Sequence, residues 1–137
     1  MTFDWSTKGE VHVDMIDYMQ SMVQEFKESH DLGVADTPAP NDLFDRGDEK
    51  NKLSRKDADL YHRMVAKALF ACKRARPDIH LAVAILCTRT TNPNQDDWRK
   101  LVQLLEYCNG TLNDKLILGA DDLHIVKWPG RIFCCPS

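Results

Sequence analysis

Residues 60–110 read as a near-continuous run of helix-forming sequence, cut by two breaks that each contain a proline. Arg76-Pro77 is the first break, because the residue before proline avoids the helical region. Upstream of it, Tyr61, Val65, Ala68, Leu69 and Cys72 follow i, i+4, i+7, i+8, i+11, the apolar stripe of an amphipathic helix. Ser54 with Asp57 three residues on is an acidic capping box, so that helix is expected over 55–75. Pro77 suits the first turn of the next helix and Asp78 its positive end. This helix, expected over 77–91, is apolar nearly all round (Ile79, Leu81, Ala82, Val83, Ala84, Ile85, Leu86), which predicts a buried centre. Asn92-Pro93-Asn94 is the second break, and it caps a helix over 94–109 with Asp96 and Asp97 in its first turn. Trp98, Leu101, Val102, Leu105 and Cys108 line the inner face there, and Gly110 is expected to supply a left-handed stop.

Flanking this block, Phe3 and Trp5 alternate with polar residues, as do Val11 and Val13, across the turn-forming Ser6-Thr7-Lys8-Gly9. That pattern predicts an N-terminal β-hairpin. Met15, Met19, Met22 and Phe26, with Ile16 and Val23, mark one face of a helix over 15–29. Residues 30–53 hold Gly33, Pro38, Pro40 and Gly47 and read as a loop or linker, with Leu43-Phe44 pinning its middle to the core. Beyond Gly110, residues 115–118 and 123–128 alternate and are joined by Gly119-Ala120-Asp121-Asp122, predicting a short second hairpin. The last stretch, 129–137, shows no period and is expected to be irregular. The expected class is therefore α+β and predominantly helical, organised as 1–29, a loop at 30–53, a three-helix region with its hairpin at 54–128, and a tail.

A chain of 137 residues is long enough to bury a core. Its net charge of −3 gives no global field for a polyanion, so nucleic-acid binding would need a local basic patch. No run of eighteen apolar residues predicts a membrane span, and the start carries acids where a secretory signal carries an apolar stretch. Five cysteines without a C-x-x-C spacing fit a reducing compartment, so an intracellular location, cytoplasmic or nuclear, is expected.

Two-metal phosphoryl transfer needs carboxylates converging from rigid elements, and here the acids fall on helix starts, the loop and turns. The histidines show no H-x-x-x-H spacing. No catalytic residue, metal site or cofactor is expected. Arg63, Lys67 and Arg74 fall near one stripe at steps of four and seven, with Lys73 and Arg76 extending its end. Arg89, Arg99 and Lys100 would add to it if the helices pack side by side. Such a stripe follows phosphates along a duplex. It is equally a solvated helix face that complements the helix dipole, and the overall charge favours that reading. Trp5 and Lys8 on the hairpin either touch a nucleic-acid backbone or, the preferred reading, Trp5 packs on the following helix while Lys8 is solvated. The row Met15, Met19, Met22 suits an adaptable binding face, but its spacing already explains it as core.

Several separate pieces also carry a resemblance: Leu60-Tyr61-His62-Arg63, Val65-Ala66-Lys67, Arg74-Ala75-Arg76-Pro77-Asp78-Ile79, Asp97-Trp98 and Gly110-Thr111, with Met1-Thr2-Phe3-Asp4-Trp5 ahead of them. Together they resemble the thumb and connecting region of reverse transcriptase in copia-type LTR retrotransposon polyproteins, running up to ribonuclease H. The resemblance covers roughly residues 1–128. It implies a scaffold that holds an RNA or DNA template–primer duplex, with a primer-grip-like hairpin and with the remainder of the polyprotein as partner. Nucleic-acid contacts would then fall on Trp5, Lys8, Arg63, Lys67, Lys73, Arg74 and Arg76. The family's aromatic-x-D-D metal-binding turn is missing; Asp121-Asp122 follows Gly119-Ala120 and reads as a polar turn. Past Trp128 the family continues into a strand bearing the first nuclease metal ligand, where this chain has W-P-G-R-I-F-C-C-P-S. The expectation is a catalytically incomplete polyprotein fragment with a frameshifted or mis-spliced tail; the alternative is a small helical protein–protein interaction module derived from a transposon.

Overall fold

A computed structural model describes residues 1–47 and 50–119, together with the backbone of 123–128 and 131–136. Strands β1 (Thr2–Asp4) and β2 (Glu10–Asp14) form the N-terminal hairpin, with Phe3 opposite Val13. Gly9 at φ +82° makes its turn, a conformation that side chains with a Cβ rarely adopt. Four α-helices follow: α1 (Ile16–Lys27), α2 (Arg55–Cys72), α3 (His80–Cys87) and α4 (Gln95–Gly110), with a single 3₁₀ turn at Pro77–Ile79 leading into α3. Strand β3 (Leu116–Gly119) comes next, then β4 (Leu123–Trp128) and β5 (Arg131–Pro136). The class is α+β and predominantly helical, as the periodicity indicates.

The strand pairing corrects two expectations. β3 does not pair with β4; it adds to the N-terminal hairpin with Val11 opposite Leu118 and Val13 opposite Leu116, giving an antiparallel sheet in the order β1-β2-β3. β4 pairs instead with β5, so the stretch expected to be irregular contains a strand. Trp128 stands opposite Arg131. Asp121-Asp122 lies outside the described residues.

Local chemistry explains where the helices begin. Ser54 Oγ accepts the Asp57 backbone N–H at 3.3 Å and starts α2. Asn94 and Asp97 form a reciprocal capping box at α4: the Asp97 N–H donates to Asn94 Oδ1 at 2.8 Å and the Asn94 N–H to Asp97 Oδ2 at 3.1 Å. The far end of α4 differs from expectation. Gly110 is the last helical residue and does not adopt a left-handed conformation; a Cβ there would meet Val34 Cγ1 at 2.6 Å. Close approach of the loop requires the glycine, and Thr111 ends the helix.

One core joins all four helices: Met19, Met22, Val23 and Phe26 of α1 meet Tyr61, Val65 and Ala68 of α2, Val83 and Leu86 of α3, and Leu101, Leu104 and Leu105 of α4. The methionine row is therefore core. Helix α3 is only half enclosed, because Leu81 is 59% exposed on its outer side. Tyr61, inaccessible to solvent, donates its hydroxyl to Leu86 O at 3.0 Å, so its one polar atom is satisfied. A smaller cluster of Val13, Met15 and Ala75 ties the sheet to the end of α2. No helix among the described residues is long and apolar enough to cross a membrane.

The long loop is strapped along the outer face of α4. Arg99 reaches Asp42 at 2.5 Å, Gln103 reaches Thr37 Oγ1 at 3.1 Å, Glu106 accepts the Gly33 N–H at 3.3 Å, and Asn109 donates to Gly33 O at 2.8 Å. Lys100, its side chain 1% exposed, donates to Asp45 O at 2.6 Å and pairs with Asp96 at 2.7 Å. Leu43 inserts into the core as expected, whereas Phe44 stays exposed. These polar residues recur every three or four positions, so one helix face holds the strap. Lys100→Ala takes the buried ammonium from the Asp45 carbonyl and from Asp96, which keeps Arg99, and is expected to cost about 1–3 kcal/mol in urea unfolding. Limited proteolysis of the same variant is expected to cut first within 30–53.

Candidate nucleic-acid interface

The basic stripe on α2 is largely neutralised from within the protein. Glu25, from α1, accepts Arg63 Nη1 at 3.0 Å and also pairs with Lys67. The Lys67 hydrogen bond, assisted by Arg63 and opposed by partial burial, holds the Glu25 carboxyl below its ordinary value. Arg74 lies over the Phe70 ring, 3.6 Å from the centroid, and donates to Phe70 O at 3.4 Å. Its charged edge remains exposed, beside the exposed Lys73. Packing the helices side by side does not lengthen the stripe. Arg89 faces Asp97 at 3.9 Å, Arg99 and Lys100 serve the strap, and Arg76 is buried.

Arg76 corrects the stripe most sharply. The residue before Pro77 leaves the helix at φ −128°, ψ 66°, and this turns its side chain inward, to 3% exposure. Its guanidinium grips Asp78 as a fork, Nε to Oδ1 at 3.0 Å and Nη2 to Oδ2 at 2.7 Å. Nη1 donates to Thr111 O at 2.9 Å and Nη2 to Thr111 Oγ1 at 2.7 Å. The Tyr107 hydroxyl donates to Asp78 Oδ2 at 2.9 Å, and the Thr111 hydroxyl donates to Tyr107 O at 2.8 Å. Burial pushes the Asp78 carboxyl up, but the Arg76 hydrogen bonds and charge, with the Tyr107 hydroxyl, outweigh it and hold it below 3.8. All three nitrogens of this guanidinium donate to the protein's own framework. It is not available to a phosphate.

At the hairpin, Trp5 does not pack on α1. It stands 70% exposed next to the turn that carries Lys8, also exposed. Trp5, Lys8, Val11 and Leu118 border an open groove of about 460 Å³ on the sheet. Phe3 and Leu118 add exposed apolar surface there, at 51% each. The reading in which Trp5 is packed and silent therefore fails. Of the residues singled out from sequence, Trp5 and Lys8 are offered to solvent together, Lys73 and Arg74 form a second exposed group at the end of α2, Arg63 and Lys67 are shared with Glu25, and Arg76 is internal. The Val13, Met15 and Ala75 cluster links the two exposed groups through the sheet base.

Sequence reasoning missed the junction of Arg76, Asp78, Tyr107 and Thr111. Its signal was available: Arg74 to Ile79 and Gly110-Thr111 were separate specific pieces, and in the folded chain they touch. Asp97-Trp98 is likewise framework, with Asp97 in the α4 cap and Trp98 against Phe26 at 5.7 Å between ring centroids. Among the described residues Cys72, Cys87 and Cys108 are free thiols, and burial pushes Cys108 up to about 12. Among the described residues no three His, Cys, Asp or Glu side chains gather in a metal-binding geometry. No family model matches the chain, and the searches of curated proteins and of solved structures likewise return no match.

Arg76→Ala removes one side of a desolvated pair and is expected to cost about 3–5 kcal/mol in chemical denaturation. Arg76→Lys is expected to recover less than half of that, since an ammonium cannot make the fork and reach Thr111 together. The pair's contribution is complete above about pH 4, where Asp78 is ionised in the folded and unfolded chain alike. It declines as pH falls through the depressed folded value of Asp78, and the Asp78→Asn variant is expected to lose that acid-limb dependence in a stability–pH series.

Proposed function

We propose that this chain is the thumb-and-connection scaffold of a copia-type reverse transcriptase/ribonuclease H polyprotein, holding a template–primer duplex without a polymerase or nuclease active site of its own. The observation that carries the reading is the Arg76 junction. It joins the most diagnostic piece of the resemblance, within Arg74 to Ile79, to another of its pieces, Gly110-Thr111, by contacts across 35 positions. Pieces of a family pattern that meet in space belong to one framework, and a framework is what such a scaffold contributes. The duplex contact then rests on four residues: Trp5 stacking or lying along the strand, with Lys8, Lys73 and Arg74 facing phosphates.

With three cations engaged, counterion release predicts a slope of about −2.7 in log K against log salt, or about a 40-fold loss of affinity between 50 and 200 mM. Fluorescence anisotropy with a labelled RNA–DNA hybrid is expected to show that slope. Lys8→Ala is expected to reduce it by about one, and Trp5→Ala to weaken binding about 5- to 100-fold at constant slope. Salt-independent binding, or none at 50 mM, refutes the reading, as does primer extension by the purified chain with magnesium and nucleotides.

A second reading, the transposon-derived protein–protein interaction module, has one observation in its favour. Phe3, Trp5 and Leu118 expose apolar surface on the sheet, in which β3 is an edge strand among the described residues. The buried methionine row no longer supports it. Trp5→Ala separates the two readings, because only a duplex contact links that loss to a salt-dependent partner.

A further inference from the structure

Of the 6 prolines in the chain, one follows a hydroxyl residue: Thr37-Pro38, in the strap that crosses the outer face of α4. Proline fixes its own φ, has no N–H to satisfy and pushes the residue before it into extended backbone. A hydroxyl on an extended segment with proline next in the chain is the form in which a proline-directed protein kinase takes its substrate. Thr37 and the preceding Asp36 are exposed, and neither lies in a helix or strand. Hydroxyls elsewhere are committed to the framework: Ser54 caps α2, Thr90 donates to Cys87 O and Thr111 holds Arg76.

The Thr37 hydroxyl also helps to hold the strap down. Its Oγ1 accepts Gln103 Nε2 at 3.1 Å and donates to Ala39 O at 3.3 Å, and Gln103 Nε2 reaches Thr37 O at 3.4 Å. On either side the strap is fixed by the polar contacts of Gly33 and Asp42 with α4, and Leu43 is its buried apolar anchor. Segments held by exposed hydrogen bonds open locally well below the free energy of global unfolding.

We infer that Thr37 is a phosphorylation site, and that its phosphate unfastens the strap from α4. In the modifying step Thr37 Oγ1 attacks the terminal phosphorus of ATP, its proton passes to the kinase's base, and the bond to the leaving ADP breaks. Phosphothreonine differs from threonine here in two ways. The proton that Ala39 O accepted is gone, and a group of about −1.5 to −2 charge stands beside the exposed Asp36. Opposite it α4 offers a neutral amide, Gln103, while Arg99, one turn earlier on that helix, already holds Asp42 and Asp96. A lost donor and added like charge therefore favour the open strap. None of these residues belongs to the proposed duplex contact, so the inference stands or falls separately from it.

The test incubates the full chain with a proline-directed serine/threonine kinase and magnesium ATP, and locates the phosphate by peptide mass spectrometry. Incorporation at Thr37 is expected, with none in Thr37→Val. Gln103→Ala removes one contact of the strap without touching the Thr-Pro pair, and is expected to speed phosphorylation about 2- to 10-fold, the weight of one hydrogen bond. The phosphorylated chain is expected to be cut by limited proteolysis within 30–53 about 2- to 10-fold faster than the unmodified chain, with its helical circular dichroism unchanged. No incorporation, phosphate on other hydroxyls in place of Thr37, or equal rates in Gln103→Ala and the parent chain overturns the site. A phosphorylated chain that is cut no faster overturns the unfastening.

Discussion

A guanidinium held almost wholly out of water at the corner between the second and third helices is the constraint on which the arrangement depends. Removing such a group from solvent costs several kcal/mol, and only good geometry with full hydrogen bonding returns it. Arg76 has both, through the Asp78 fork and the two oxygens of Thr111. The consequence is positional. The corner after α2 is fastened to the end of α4, and its neighbour Ala75 meets Val13 and Met15, which places the base of the sheet against the same corner. The helices, the sheet and the exposed hairpin thus share one fastening point.

The same economy governs four other cations. Arg63 and Lys67 join α2 to α1 through Glu25, while Arg99 and Lys100 hold the long loop to α4. A residue that binds its own framework cannot also follow a phosphate backbone, so the proposed interface shrinks from seven candidate positions to four. Those four differ from the rest in one physical respect. They sit beside the hairpin turn and at the end of α2, exposed to solvent. Trp5 is the clearest case, an aromatic with most of its area in water and a lysine close by in the turn.

Helix positions were legible in the chain because their signals are local. Proline at 77, the Asn94 and Asp97 box, and the apolar stripe through Tyr61 and Val65 each act within a few residues, and the observed boundaries fall within a turn or so of those expected. Errors arose where one signal serves two physical purposes. Gly110 has the position of a left-handed cap, yet it is a glycine because Val34 approaches its α-carbon. Residues 115–118 alternate as a strand should, but alternation carries no information about the partner, which is β2. The last strand follows Pro129 in a stretch without alternation, and its pairing with β4 emerges only from the register.

The order of elements, the four helices, the core stripe and the α+β class were determined by the sequence alone, through periods and capping chemistry that need no distant contact. The destinations of the charged side chains were decided by the tertiary structure. Arg63, Arg74 and Arg76 look alike in a list of basic residues. One pairs with an acid 38 positions earlier, one stacks on its own helix, and one reaches a threonine 35 positions later. Helical spacing gives the angle at which a side chain leaves its axis, but only the packing of the other helices determines whether it meets water, a carboxylate or a carbonyl.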